Sequence, residues 1–295
     1  MGLYGRVEDV ISGPRLARAT APNMVGTGLT PEGIFTNYVM YDLMTEMGWS
    51  AAKDVSIDNM NYWFVRFAIR RFGLENYGSG LPITDGILTL AHTVYNCTVA
   101  NFHDHNILMI NVPTLNSTDY TWYSLEEIES SLEAFVEASN SLLDIQTFQY
   151  DLADLTRQYL VNLAPKIYQD AILSYKLEQM ESLEFSKDIF MDLLVDLDMI
   201  LATQKSFLLG TWLEKARKAT INDTEAALFQ FNACNQVTLW GPDGQILDYA
   251  AKQWSGLLSQ YYGKRWQLFF NMLTLSLEQG TLNLLTVSSK ITLFR

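Results

Sequence analysis

The sequence predicts a mainly α-helical protein in which one strand near the N-terminus precedes a long run of helices. From about residue 58 onward, apolar side chains recur at steps of three and four residues, which is the spacing of a buried helix face. The loops between these stretches are short, so neighbouring helices should pack antiparallel. With 295 residues, 48% of them hydrophobic, the chain can build one large domain or two ordinary ones.

The strand is predicted at residues 24–29, an apolar run punctuated by glycine. Residues 30–34 then predict a turn, and a helix with one apolar face follows. Glu32 lies in that turn, at the carboxyl end of the strand, where the catalytic groups of α/β barrels gather. A carboxylate held between proline and glycine could act as a nucleophile or acid/base. From the residues alone, a turn carboxylate that faces solvent is the favoured alternative.

Caps and apolar periodicity place the helices of the longer, second part. Ser124 followed by Glu127 is a capping-box pattern, which predicts that a helix begins there. Pro165 lies inside a long amphipathic stretch and could kink it. Residues 281–295 lose the helical period. The helices are predicted at or near residues 58–73, 85–96, 124 onward, 148–167, 189–201, 214–219, 225–239, 247–262 and 266–278.

The composition argues against several classes of function. The net charge of −13 opposes binding to nucleic acid or to an anionic membrane surface. No apolar run reaches the ~18 residues of a membrane span. Two cysteines form neither a disulfide framework nor a zinc site, which leaves one bridge or two free thiols. His103 and His105 lack a third ligand, so we expect no metal. No nucleotide or dinucleotide motif predicts a cofactor.

The N-terminus and the sequons bear on the cellular location. The chain does not begin with the apolar segment of a signal peptide. Three Asn-x-Ser/Thr sequons nevertheless occur, at Asn96, Asn116 and Asn222. They are compatible with a glycosylated protein whose targeting segment is missing from this chain.

A second candidate site lies around residues 238–249. The sequence predicts that a helix ends at Gly241 with Trp240 in its last turn, and that a new helix begins near Asp248. Trp240 and Tyr249 at such a joint could form a platform for a sugar, because the CH groups of a pyranose pack well on an aromatic face. Trp240, Tyr249 and Trp254 could instead fill the core between the helices.

These two clusters together resemble one known family, the lysosomal alpha-N-acetylglucosaminidases. Two long motifs carry the resemblance: VGTGLTPEGI at residues 25–34, and LWGP with DYA between residues 239 and 250. Shorter matches occur in the same order between and around them, and the likeness runs from about residue 2 to residue 279. These shorter matches are at residues 148–152, 207–210, 212–214, 216–217, 252–253, 256–257, 261–262 and 265–266.

The resemblance implies a fold and an activity. Family members have a small N-terminal domain, a (β/α)8 barrel and an all-helical C-terminal domain. They remove terminal alpha-linked N-acetylglucosamine from heparan sulfate in the lysosome, with retention of configuration. By this resemblance, residues 1–57 are the C-terminal remnant of the catalytic barrel and residues 58–295 are the helical domain. The chain would then be a fragment of a longer protein, and a homo-oligomer is compatible with it.

The resemblance also assigns roles to residues. Glu32 would be the nucleophile, with the acid/base carboxylate in the part of the barrel that this chain lacks, so the isolated chain should be inactive. The partner would be a heparan sulfate-derived oligosaccharide that ends in N-acetylglucosamine. The positions that match the sugar pocket or its border are Trp240, Ile246, Tyr249, His105, Leu3 and Tyr4.

The sequence departs from the family at some positions. Cys234 stands where arginine is frequent, and Thr36 stands where glutamine is usual, so polar support of the pocket could be weaker here. A rival hypothesis is a separately expressed, non-catalytic helical module that binds sugar or another partner. Such a module would need Trp240 and Tyr249 but no second carboxylate.

Overall fold

A computed structural model of the chain describes residues 2–30, 37–49, 55–76, 81–99, 108–115 and 121–280. Over these ranges the protein is built from α-helices, with two isolated β-bridges and no longer strand, so the mainly α-helical class is confirmed. The helices are α1 Val7–Thr20, α2 Tyr38–Trp49, α3 Met60–Phe72, α4 Pro82–His92, α5 Leu125–Leu142, α6 Gln146–Lys176, α7 Met180–Ala202, α8 Leu209–Lys218, α9 Asp223–Val237 and α10 Gly263–Glu278.

The chain divides into two compact units. Within the described ranges, the first unit contains residues 2–99 and 121–159, and the second contains residues 108–115 and 160–280. The long helix α6 contributes residues to both units, although Pro165 lies inside it. The prediction of a long amphipathic helix through this proline is confirmed.

The core of the first unit is formed by α1 to α5 and the beginning of α6. Phe72, Phe135 and Phe148 come from three different helices, and their ring centroids lie 5.9 to 6.1 Å apart. Each ring is buried, which is worth about 1.5–3 kcal/mol relative to an exposed side chain. Where α4 crosses α5, the hydroxyl of Ser131 donates to the carbonyl of Gly86 at 2.9 Å. A Cβ at Gly86 would lie 3.1 Å from Ala134, so glycine permits this close approach.

The core of the second unit surrounds Trp266 of α10. Its ring centroid is 4.6 Å from that of Phe190 on α7 and 5.2 Å from that of Tyr168 on α6. All three side chains are fully buried. The carboxylate of Asp198 on α7 accepts three hydrogen bonds, at 2.8 to 3.1 Å. The donors are the hydroxyl of Ser255 and the backbone N–H groups of Gly256 and Ser259. These contacts tie α7 to the segment that leads into α10.

The capping box before α5 is confirmed. The backbone N–H of Glu127 donates to the hydroxyl of Ser124 at 3.2 Å, and the N–H of Ser124 donates to the Glu127 carboxylate at 2.7 Å. The predicted C-terminal end of α3 is also confirmed. Gly73 follows the last residue of this helix with a left-handed φ of 65°, which stops the helix.

The predicted strand at residues 24–29 is not formed. Residues 24–30 have no regular structure, and Val25 and Leu29 are exposed. A strand of a parallel barrel obtains both its hydrogen bonds and its burial from neighbouring strands, and the described residues contain none that could pair with it. The sequence did not predict α1, whose Gly13 and Pro14 interrupt the helical signal although Pro14 is buried in the core.

The helix predicted at residues 247–262 is also wrong. Residues 247–254 form turns and irregular backbone, and only the last part is helical, as a π-helical turn at Leu258–Tyr262. Two residues of the irregular part, Asp248 and Ala251, have positive φ angles of 56° and 47°, which no α-helix accommodates.

Candidate functional site

Trp240, Ile246 and Tyr249 form one exposed apolar corner in the second unit. The rings of Trp240 and Tyr249 meet edge to face, with centroids 5.2 Å apart and planes at 71°. Trp240 is 40% exposed, Ile246 46% and Tyr249 37%, so these side chains are not buried core residues. Neither Trp240 nor Tyr249 is therefore buried in a core between helices, and their role at a sugar site stays a prediction.

The backbone that carries this corner is a tight loop and not a joint between two helices. α9 ends at Val237, so Trp240 lies beyond the helix and not in its last turn. The N–H of Ile246 donates to the carbonyl of Trp240 at 3.1 Å, and the N–H of Asp248 donates to the carbonyl of Thr238 at 2.7 Å. These two hydrogen bonds pair the arms of the loop and bring Trp240 and Tyr249 together.

Gly241 makes the turn of this loop sterically feasible. Its φ of 110° is disfavoured for a residue with a side chain, and a Cβ there would lie 2.3 Å from the amide oxygen of Gln245. Its carbonyl accepts from the side-chain amide of Asn235 at 3.3 Å, which ties the turn to α9.

Asp248, the residue before Tyr249, is held by Arg265 in a two-pronged ion pair. The guanidinium donates to the two carboxylate oxygens at 2.7 and 3.3 Å, and the side chains of Arg265 and Asp248 are 8% and 11% exposed. Burial raises the pKa of the Asp248 carboxyl, and the hydrogen bonds from Arg265 act in the opposite direction. Asp248 also has the left-handed φ of 56°, so the ion pair stabilises a strained backbone position.

A second group of predicted pocket residues, Leu3 and Tyr4, lies in the first unit. Leu3 is buried, and its backbone N–H donates to the side-chain oxygen of Gln158 at 3.1 Å. Tyr4 is half-buried and packs edge to face on Trp122, with centroids 5.3 Å apart. Burial raises the pKa of the Tyr4 hydroxyl, while a hydrogen bond with Arg6 lowers it.

Three of the predicted residues cannot be placed. Glu32, His105 and Asn116 lie outside the described residues, and so does Thr36. Their roles therefore stay predictions from the sequence.

The two described sequons differ in their surroundings. Asn222 is exposed and caps α9, with its side-chain oxygen accepting from the N–H of Glu225 at 2.9 Å. The amide nitrogen, which would carry a glycan, is not the capping atom. Asn96 is half-buried, and its amide nitrogen donates to the Glu8 carboxylate at 2.9 Å. The structure therefore favours Asn222 over Asn96 as an accessible acceptor.

The contacts that hold the Trp240–Tyr249 loop in place were not predicted from the sequence. Neither the pairing of Asp248 with Arg265 nor the positive φ of Asp248 was predicted. The only local signal is that aspartate tolerates the left-handed region better than most residues, and that signal is weak.

Several features concern the chain as a whole. Cys97 and Cys234 are both free thiols, Cys97 buried and Cys234 half-buried on α9. Among the described residues, no three His, Cys, Asp or Glu side chains cluster as metal ligands would. Within the same ranges, no helix has both the length and the apolar character that a bilayer crossing demands.

Solved structures similar to this chain come from a family 89 glycoside hydrolase of Clostridium perfringens. Its complex with PUGNAc superimposes with a TM-score of 0.86 at 28% identity, over 94% of this chain and 32% of that chain. A form with two glutamates replaced by glutamine, in complex with its substrate GlcNAc-alpha-1,4-galactose, gives a TM-score of 0.85 at 29% identity, over 94% of this chain and 32% of that one.

Sequence comparison leads to the same family. Human alpha-N-acetylglucosaminidase is 39% identical over 283 residues, which are 95% of this chain, and the match spans 37% of the length of the human protein. The family model for the tim-barrel domain of alpha-N-acetylglucosaminidase (NAGLU) matches residues 1–51, and the model for its C-terminal domain matches residues 63–293. Because the second match covers most of the chain, this protein belongs to the alpha-N-acetylglucosaminidase (NAGLU) family.

Proposed function

We propose that this chain is the part of a retaining exo-glycosidase that carries the nucleophile, Glu32, and an aromatic wall of the sugar site. The substrate would be an oligosaccharide derived from heparan sulfate, with a terminal alpha-linked N-acetylglucosamine. The observation that carries this proposal is the exposed corner of Trp240, Ile246 and Tyr249 in a chain of this family.

The geometry of the corner suits a pyranose ring. Trp240 and Tyr249 each keep more than a third of their surface accessible, and their rings meet edge to face. The CH groups of a sugar pack on such faces through dispersion and the hydrophobic effect. Ile246 extends the apolar surface, so water would be excluded from one side of a bound acetamido sugar.

The proposed chemistry needs two carboxyl groups. In a retaining glycosidase they lie roughly 5–5.5 Å apart, one as nucleophile and one as acid/base. Glu32 would attack the anomeric carbon, and the acid/base residue would protonate the leaving oxygen and later activate water. We place the acid/base residue in the portion of the relatives that this chain does not cover. The substrate complex of the Clostridium perfringens relative has two glutamates replaced, which is compatible with a pair of catalytic glutamates.

The same proposal assigns the domains and the location. The proposed division at residue 57 lies between the two family matches, one ending at residue 51 and the other beginning at residue 63. The parent protein would be a lysosomal glycoprotein. Asn222 is the sequon whose surroundings support glycosylation best.

Replacing the nucleophile tests the proposal. Glu32→Gln in the full-length enzyme should abolish hydrolysis of a nitrophenyl alpha-N-acetylglucosaminide while leaving the unfolding temperature unchanged. Glu75→Gln, at an exposed position, is the matched control and should retain activity. Unchanged turnover by Glu32→Gln would refute the assignment, and Glu32-dependent turnover by the isolated chain would refute its predicted inactivity.

A non-catalytic sugar-binding or interaction module is the second candidate. It is favoured by the observation that Trp240 and Tyr249, which form the corner, both belong to the second unit. Calorimetry of the chain with N-acetylglucosamine, against Trp240→Ala as control, tests this candidate. An upstream coding sequence for a barrel in the transcript would instead support the glycosidase.

A further inference from the structure

Two adjacent residues at the start of α10, Arg265 and Trp266, bind two separate segments of the second unit. Arg265 pairs with Asp248 as described above, and it also donates to the carbonyl of Ile110 at 3.2 Å. The indole N–H of Trp266 donates to the carbonyl of Met109 at 2.7 Å. The loop of the aromatic corner and the short helix at Leu108–Ile110 are therefore fixed to the same point.

These contacts are buried, which makes each of them costly to lose. Trp266 and Met109 are fully buried, and Arg265 is buried as well. The guanidinium also lies 4.8 and 5.5 Å from the ring centroids of Tyr261 and Tyr262. A buried charge that loses its partner retains its desolvation cost, so the surrounding loop should rearrange if Arg265 is truncated.

The local backbone explains why both side chains reach these targets. A π-helical turn at Leu258–Tyr262 precedes α10, and the N–H of Gly263 donates to the carbonyl of Leu258. Such a turn contains one residue more than an α-helical turn, so it rotates the following side chains relative to those before it. π-helical turns are found frequently at functional sites.

Asp248 connects Arg265 to the aromatic corner, because it binds Arg265 and directly precedes Tyr249. Its own N–H is bound to the carbonyl of Thr238, and its carbonyl accepts from the N–H of Ala251 at 2.9 Å. Asp248 directly precedes Tyr249 in the chain, so a change in the Asp248 backbone would also move Tyr249 relative to Trp240. The ion pair thus adds a tertiary contact that stabilises the left-handed backbone conformation of Asp248, which is disfavoured by backbone sterics.

We propose that Arg265 is a positioning residue of the sugar site. It fixes the position of the Trp240–Tyr249 corner relative to the segment at Leu108–Ile110. The sugar-related part of this inference rests on the proposed function. The positioning itself concerns only the chain and can be tested without any sugar.

Fluorine NMR of the chain labelled with 5-fluorotryptophan reports directly on the corner. The chain has seven tryptophans, so seven signals are expected, and the signal that is lost in Trp240→Phe is that of Trp240. Arg265→Met should shift or split the Trp240 signal and weaken the affinity for N-acetylglucosamine about tenfold. Arg265→Lys keeps the charge but lacks the paired donors, so it should also move the signal. Lys264→Met, at the exposed neighbouring position, is the matched control and should change neither.

The outcomes separate the two proposals. If the Trp240 signal stays in place in folded Arg265→Met and Arg265→Lys, the positioning role is overturned, whatever happens to sugar binding. If the signal moves but the unmodified chain binds no N-acetylglucosamine, the positioning role is supported and the sugar site is contradicted. Should Arg265→Met fail to fold, Asp248→Asn is judged by the same criterion, because asparagine also tolerates the left-handed region.

Discussion

Arg70 and Arg71 are neighbours on α3, but their ion pairs differ so much in burial that truncating them should have very different costs. Arg71 donates to both carboxylate oxygens of Asp151, at 2.6 and 2.7 Å, and the hydroxyl of Tyr38 donates to the same carboxylate at 2.5 Å. The side chains of Arg71 and Asp151 are 20% and 5% exposed. Arg70 pairs with Asp42 at 3.1 Å, and both of those side chains are 46% exposed.

The expected costs follow from this contrast. Arg71→Ala leaves the Asp151 carboxylate buried with only Tyr38 as a described partner, and breaking such a pair costs about 3–5 kcal/mol of unfolding free energy. The same change removes the stacking of the guanidinium on Tyr38, whose ring centroid lies 4.1 Å away. Arg70→Ala breaks an exposed pair and should cost about 0–1 kcal/mol.

The pH dependence gives a second, independent check. Burial already raises the pKa of Asp151, and Arg71 opposes that shift. Without Arg71 the carboxyl should take up a proton more readily, and a neutral acid is less costly to bury. The cost of Arg71→Ala should therefore decrease as the pH is lowered from 7 to 5, whereas the cost of Arg70→Ala should change little.

Urea unfolding followed by far-UV circular dichroism measures both costs. The double variant Arg71→Ala with Asp151→Ala should lose less stability than the sum of its single variants, because it leaves no unpaired charge. Equal losses for Arg70→Ala and Arg71→Ala, within about 1 kcal/mol, would show that burial of the ion pair does not control its contribution.

Two further predictions concern the surface of the second unit and the sequons. Lys187 and Thr274 hydrogen-bond to the Glu184 carboxylate and lower its pKa, so this contribution to stability is present above the unfolded pKa and is lost as the pH falls through the folded value. Accordingly, the destabilisation by Glu184→Gln should be greater at pH 7 than at pH 3 in urea unfolding, and a pH-independent difference would contradict the assignment. When the chain is secreted from mammalian cells, mass spectrometry should find glycan at Asn222 and little at Asn96, and the reverse pattern would show that accessibility in the fold does not govern modification.

Much of the helical architecture could be predicted from the sequence because the signals are local. The capping box of α5 joins Ser124 and Glu127, which are three residues apart, and the apolar stripe of α7 repeats within each turn. The identification of the family also came from the sequence, since the two motifs keep their letters and their order. The candidate residues Trp240, Ile246 and Tyr249 were selected in this way, and the structure brings all three together.

Tertiary contacts decided the features that the sequence predicted wrongly or did not predict. Residues 247–254 are rich in apolar and aromatic side chains, as a helix would be, but Asp248 has a left-handed φ and pairs with Arg265, which lies 17 positions further along. The apolar run at residues 24–29 is typical of a strand, but a strand exists only beside another strand. Helix caps and periodicity depend on neighbours within four residues, whereas a buried ion pair or a β-ladder depends on groups that only the folded chain brings together.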